Sequence, residues 1–163
     1  MLYALLIAAL VALDQVVKYL IRANIPLGES IPFLPHVMDL TYVQNTGAAF
    51  SIFADHTWLL TLLSLAASVL LALTLVRKWV TRTRPGRLCI ALVLAGAVGN
   101  LIDRAAFGFV TDMFETTFMQ FAVFNVADIC VVLGGIGFCI YYLFFYDRME
   151  GKEEDHDRAG TEG

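Results

Sequence analysis

The sequence predicts an all-α membrane protein: four transmembrane helices, N- and C-termini cytoplasmic, and a small periplasmic β-rich extension in the first loop. Three observations lead there. Of the 163 residues, 59% are hydrophobic and only 16% charged, against about a quarter charged in an ordinary soluble domain. The apolar residues fall into four blocks of roughly 20, the length that crosses about 30 Å of hydrocarbon. Lys and Arg concentrate on one side of those blocks, the asymmetry that sets orientation in a membrane.

The first block, residues 2–21, carries Asp14 and Lys18 inside its apolar run. It lacks a basic leader and a small-x-small cleavage site, so it reads as an uncleaved span and not as a signal peptide. The connection that follows, residues 22–57, is the longest and contains Pro26, Pro32 and Pro35. Its β-branched and aromatic stretch from Val37 to Val43 predicts short strands at the membrane surface. The second block, residues 58–76, holds no polar group stronger than a hydroxyl. Arg77, Lys78, Arg82, Arg84 and Arg87 come next and place the second connection in the cytoplasm. Across the membrane stand only Arg22 and Arg104.

The third block, residues 88–107, contains Asn100, Asp103 and Arg104. A short loop bearing Asp112 leads to the fourth, residues 126–146, which is entered through Asn125 and carries Asp128. Tyr141, Tyr142 and Tyr146 near its end suit an aromatic belt at the inner surface. Residues 1–147 therefore read as one integral-membrane domain, and 148–163 as a disordered acidic cytoplasmic tail. The net charge of -4 owes much to that tail and says little about partners. Cys89, Cys130 and Cys139 lie inside apolar blocks, and their odd number and spacing fit packing better than a disulfide or metal set. His36, His56 and His156 are isolated. No metal, cofactor or nucleic-acid partner is expected.

A charged side chain at membrane depth costs about 3 kcal/mol on insertion scales and marks a functional site by default. Here such residues favour the periplasmic side of the expected topology, so the site belongs near the outer leaflet. Asp14 and Lys18 are four apart, share a helix face and can pair. A structural ion pair that neutralises two buried charges is the simpler reading of them. Asp103 and Arg104 are adjacent and point in different directions, so they need different partners. Asp103 suits a helix-end anchor, Arg104 a clamp for a carboxylate or a loop carbonyl.

Asp112 and Asp128 flank antiparallel spans joined on the outside, so the two can meet at the membrane surface. Close carboxylates hold one shared proton. That state suits amide hydrolysis: the ionised partner takes a proton from water, and the protonated one hydrogen-bonds the scissile carbonyl and later protonates the leaving nitrogen. No Ser or Cys nucleophile with a His base is found on this face. On residues alone, Asp112 with Asp128 competes with pairings that use Asp103 or Asp14. Gly96 and Gly99 allow close approach, and helix packing is their simpler account. Asn45 and Asn125 can hydrogen-bond a bound peptide, hold the carboxylates or satisfy loop backbone.

In order, the motifs are Asp14-Gln-Val-Val-Lys18, Asn45-Thr-Gly-Ala-Ala-Phe50, Gly96-Ala-Val-Gly-Asn-Leu-Ile-Asp-Arg104, Val110-Thr-Asp112 and Phe124-Asn-Val-Ala-Asp128. Together they resemble the lipoprotein signal peptidases, the signal peptidase II family, over nearly the whole chain outside the acidic tail. The resemblance implies an aspartic endopeptidase, multi-pass in the bacterial inner (plasma) membrane, with its active site near the periplasmic face. Its substrate would be a diacylglyceryl-modified prolipoprotein, cut just before the lipidated cysteine. It would use no cofactor, work in membrane lipid, and be inhibited by globomycin-type cyclic peptides; a monomer is expected. The resemblance assigns the catalytic dyad to Asp112 and Asp128. It gives Asp14, Lys18, Asn45, Gly47, Asn100, Asp103, Arg104, Asn125 and Ala127 supporting roles in binding substrate or holding the site. Two positions depart from the pattern: Ala95, where the family often has Gly, and Met113, where an aromatic is common.

Two other classes compete. A small transporter with an ion relay through Asp14, Lys18, Asp103 and Asp128 needs polar residues through the full membrane depth. A lipid-modifying transferase needs metal-binding carboxylates at helical spacing, and no such run is present.

Overall fold

The computed structural model describes residues 1–47, 57–146 and 148. Ala48 to Phe50 of the Asn45 motif, and residues 149–163 of the expected tail, lie outside the described residues. Helix α1 spans Leu2–Asn24, α2 Thr57–Arg77, α3 Arg84–Phe107 and α4 Val126–Phe144. At about 1.5 Å per residue, each is long and apolar enough to cross a membrane.

Local chemistry explains most helix ends. α1 runs past residue 21 and stops where Ile25 turns extended ahead of Pro26, a residue that disfavours helix before it. Arg22 therefore lies on the last helical turn and not in a loop. α3 begins at Arg84 instead of Leu88, because Thr83 caps it by accepting the Gly86 N–H and a proline occupies the first turn. It closes at Gly108, whose φ of 78° is the left-handed C-terminal conformation. α4 ends at Phe144, short of Tyr146.

Three strands form one antiparallel sheet in the order β1-β2-β3: β1 Ser30–Leu34, β2 Met38–Asn45 and β3 Val110–Thr116. β2 falls on the stretch that predicted strands, and β1 pairs back onto it through a reversal at His36, φ 62°. β3 is a correction on two counts. Asp112 stands on a strand and not in a loop, and the β-rich extension draws on the third connection as well as the first. Val43 lies opposite Asp112 in this ladder, a pairing that no local window of sequence can display.

The helices are apolar outside and polar inside. Leu5, Leu13, Val16 and Leu20 of α1 are each more than half exposed, while its buried residues are Asp14, Lys18 and Ile21. That distribution suits a bundle whose solvent is hydrocarbon. α3 is central, packing against α1, α2 and α4, and α2 rests on α3. Leu75, Ile90, Ala91 and Leu94 form an apolar layer between α2 and α3. At the other end Ile21, Ile25, Tyr42 and Met113 seal the sheet onto α1. Met113 is fully buried there, so its departure from the aromatic pattern is a packing choice.

Gly96 and Gly99 are close-approach positions. A Cβ on Gly96 would stand 2.2 Å from the Ala127 carbonyl oxygen, and one on Gly99 would stand 2.7 Å from Asp14 Oδ2. Tyr141 is a further correction. It does not face outward as a belt residue would, but is 4% exposed. Its hydroxyl joins those of Thr81 at 3.0 Å and Thr83 at 2.8 Å, tying α4 to the basic connection.

Candidate active site

The site is assembled at the start of α4. Asn125 Oδ1 accepts the Asp128 N–H at 2.9 Å, and Asp128 Oδ2 accepts the Asn125 N–H at 3.1 Å. This reciprocal cap satisfies two helix-end donors and fixes Asp128 in the first turn. The Asn125 side chain also donates from Nδ2 to Asp112 Oδ1 at 2.6 Å and to Asn100 Oδ1 at 3.1 Å. One asparagine therefore touches both carboxylates and couples β3 to α4.

Each carboxylate has a second amide. Asp112 Oδ2 accepts from Asn45 Nδ2 at 3.0 Å, and Asp128 Oδ1 from Asn100 Nδ2 at 2.8 Å. The orientation of all three amides follows from neighbours that can only donate. Asn100 Oδ1 must face the Lys18 ammonium at 2.9 Å. Asn45 Oδ1 must face the Gly47 N–H at 3.0 Å, and Asn125 Oδ1 the Asp128 N–H. Every amide thus turns its NH₂ toward a carboxylate.

Asp112 is 2% exposed. Burial pushes its carboxyl up to about 6; the Asn45 and Asn125 hydrogen bonds pull it back, the Asp128 charge raises it and the Lys18 charge lowers it. A carboxyl so placed keeps a proton far more readily than a solvated one.

Behind this layer lies a buried set of ions. Lys18 Nζ is 2.9 Å from Asp14 and 3.5 Å from Asp103, and Arg22 is 3.7 Å from Asp103. Two acids and two bases balance, which is the condition for keeping charge inside a bundle. Asp14 Oδ1 accepts the Ala127 N–H at 2.9 Å, placing a negative group at the N-terminus of α4. Asp103 Oδ2 accepts the Thr111 N–H at 2.8 Å, so it anchors β3 to the end of α3. Gln15 Nε2 lies 3.0–3.2 Å from Asp14, Asp103 and the Gly99 carbonyl. Arg104 reaches Ser64 Oγ of α2 at 3.5 Å, where a carboxylate or loop carbonyl was expected.

A cavity of about 1010 Å³ opens in front of the carboxylates. Asn45, Gly47, Asn100, Arg104, Asp112, Asn125 and Asp128 form its polar wall, and Phe121, Phe124, Ile129, Val132 and Leu133 supply an apolar one. Of the other residues singled out in sequence, Asp14, Lys18, Asp103 and Ala127 stand behind that wall. Among the described residues no group of three His, Cys, Asp or Glu side chains is arranged to hold a metal ion. Gln15, Arg22, Thr111 and Ser64 were missed. Gln15 sits between two marked residues of one motif, and Arg22 was one of two cations on its side; those were the available signals.

Four spanning-length helices, a sheet over one end and a carboxylate-walled cavity define a multi-pass membrane protein of enzymatic type. Its fold is similar to two solved structures described as bacterial membrane enzymes obtained by the in meso method. One, at 2.3 Å resolution, has a TM-score of 0.81 and 30% identity over 86% of this chain and 87% of that one. The other, at 1.9 Å resolution, has a TM-score of 0.80 and 30% identity over 88% and 93%. The signal peptidase (SPase) II family matches residues 6–145, and the chain belongs to that family. It is 42% identical to a lipoprotein signal peptidase of Clostridioides difficile over 91% of this chain and 99% of the relative. It is 40% identical to a lipoprotein signal peptidase of Enterococcus faecalis over 93% and 92%. Membership makes it a membrane peptidase that removes signal peptides from prolipoproteins.

Proposed function

We propose that the chain is an aspartic endopeptidase in which Asp112 and Asp128 activate one water. The observation that carries this reading is the double contact of Asn125, which holds one carboxylate by its side chain and the other by its backbone. Burial and the neighbouring Asp128 charge outweigh the amide hydrogen bonds at Asp112, so the pair keeps one proton to share. The ionised acid takes a proton from water as the oxygen attacks the scissile carbonyl. The protonated acid hydrogen-bonds that carbonyl, then passes its proton to the leaving nitrogen.

The substrate is a diacylglyceryl-modified prolipoprotein, cleaved just before its lipidated cysteine. The two-sided cavity supports this: polar groups suit a peptide, and the apolar wall of α4 suits the chain's lipid. The basic connection from Arg77 to Arg87 supports cytoplasmic termini, with the sheet and cavity at the periplasmic face of the inner membrane. No cofactor enters the reaction, the enzyme acts as a monomer, and globomycin-type cyclic peptides occupy the same cavity. An ion relay is disfavoured, because Leu75, Ile90, Ala91 and Leu94 separate the buried charges from the polar groups at the opposite end.

The test is release of signal peptide from a diacylglyceryl prolipoprotein by the purified protein in detergent. Asp112→Asn and Asp128→Asn each lower turnover by at least about 10³-fold while gel filtration stays unchanged. Near-normal turnover in either variant removes that residue from the dyad.

A further inference from the structure

We propose that Arg22 is a positioning residue for Asp112, acting through Thr111; this rests on the reading of Asp112 as a reacting acid. Neighbouring strand residues point to opposite faces. Asp112 lines the cavity, and Thr111, fully buried, faces the helix ends. There the Arg22 guanidinium donates to Thr111 Oγ1 at 2.8 Å. It also lies 3.7 Å from Asp103 and 4.6 Å over the Phe107 ring. Asp103 in turn accepts the Thr111 N–H at 2.8 Å. Thr111 is held at its backbone from α3 and at its hydroxyl from α1.

That second hold has a purpose, because the regular pairing of Thr111 with Gln44 and of Asp112 with Val43 ends at Asp112. The β2–β3 register shifts between Leu40 and Val43, and Val43 is the residue opposite Asp112. Directly after Asp112, the N–H of Met113 leaves the ladder and donates to the Phe124 carbonyl at 3.0 Å. A break in register frees a strand to tilt. A reacting group displaced by about 1 Å can lose about 10²-fold in rate. Arg22 steadies the residue before the break, and its planar fork serves a hydroxyl, a carboxylate and a ring face at once, which an ammonium cannot.

Thr111→Val tests this directly, since it keeps the branched shape and the N–H held by Asp103 and removes only the hydroxyl. Steady-state cleavage of a diacylglyceryl prolipoprotein is measured in detergent for Thr111→Val, Arg22→Gln and the double variant. Each single change lowers kcat by about tenfold with KM within about twofold, and the double variant is no slower than the slower single, because both remove one link. Thr111→Ser and Arg22→Lys recover part of the loss. Full turnover in Thr111→Val, effects that multiply in the double variant, or a loss confined to KM each overturn the proposal. If Asp112→Asn keeps its turnover, the dyad reading has failed; an inactive Asp112→Asn beside a fully active Thr111→Val sinks only the positioning role.

Discussion

The two ends of the bundle use side chains in the same way and reach different outcomes. At one end Thr81, Thr83 and Tyr141 close a ring of hydroxyls between α4 and the basic connection. The three hydroxyls bond one another, and all three side chains are buried. At the other end Asp14, Lys18, Asp103 and Arg22 balance one another, and two further carboxylates stand in front of them facing a cavity. The hydroxyl cluster ties α4 to the connection between α2 and α3. The charged end joins elements too, but its balanced ions also orient Asn100 and Thr111, which set the positions of Asp128 and Asp112. Stability and chemistry are thus built from the same contacts at one end and separated at the other.

Removing Lys18 tests that comparison most severely. Lys18→Met leaves Asp14 and Asp103 buried without their shared cation, and breaking a buried pair costs about 3–5 kcal/mol. It also frees Asn100 to flip. We expect a large fall in thermal stability in micelles together with loss of cleavage, and a variant as stable as the parent would show that the ions are not balanced as described.

Tyr141→Phe is the matched change in the hydroxyl cluster. It removes hydroxyl contacts worth about 1 kcal/mol each and leaves the carboxylates untouched. A modest drop in Tm with turnover within about twofold is expected; a tenfold loss of kcat would mean that the two ends are not separable.

The pH dependence of stability sharpens the comparison from the charged end. Burial holds the Asp112 carboxyl at about 6 against an ordinary 3.8, so the folded protein binds this proton more tightly than the unfolded chain. The stabilising contribution is complete below the unfolded value and is lost as pH rises through about 6. Replacing Asp112 with Asn should flatten that component of Tm between about pH 4 and pH 7. An identical Tm profile in parent and variant would argue that Asp112 is better solvated than its burial indicates.

Much of this molecule could be read before any coordinates. The four apolar blocks became four helices, and the charged and amide residues inside them line the cavity or stand behind its wall. The place of Asp128 at the start of the fourth span was also legible, since the apolar run begins beside it; the Asn125 cap was not. The misreadings share a cause. Sequence places Asp112 in a loop because β3 exists only by pairing with β2, whose sequence lies far away. Sequence places Tyr141 in a belt because its hydroxyl partners, Thr81 and Thr83, come from a distant connection.

Hydropathy, charge asymmetry and motif order are all read along the chain itself, so sequence alone determined the spans, the candidate acids and the resemblance to a family. Which acid meets which amide depends on where distant segments return after packing. Lys18 facing Asn100, Arg22 holding Thr111 and Asn125 joining Asp112 to Asp128 were decided only by the tertiary structure, because each needs two or three elements brought to one place.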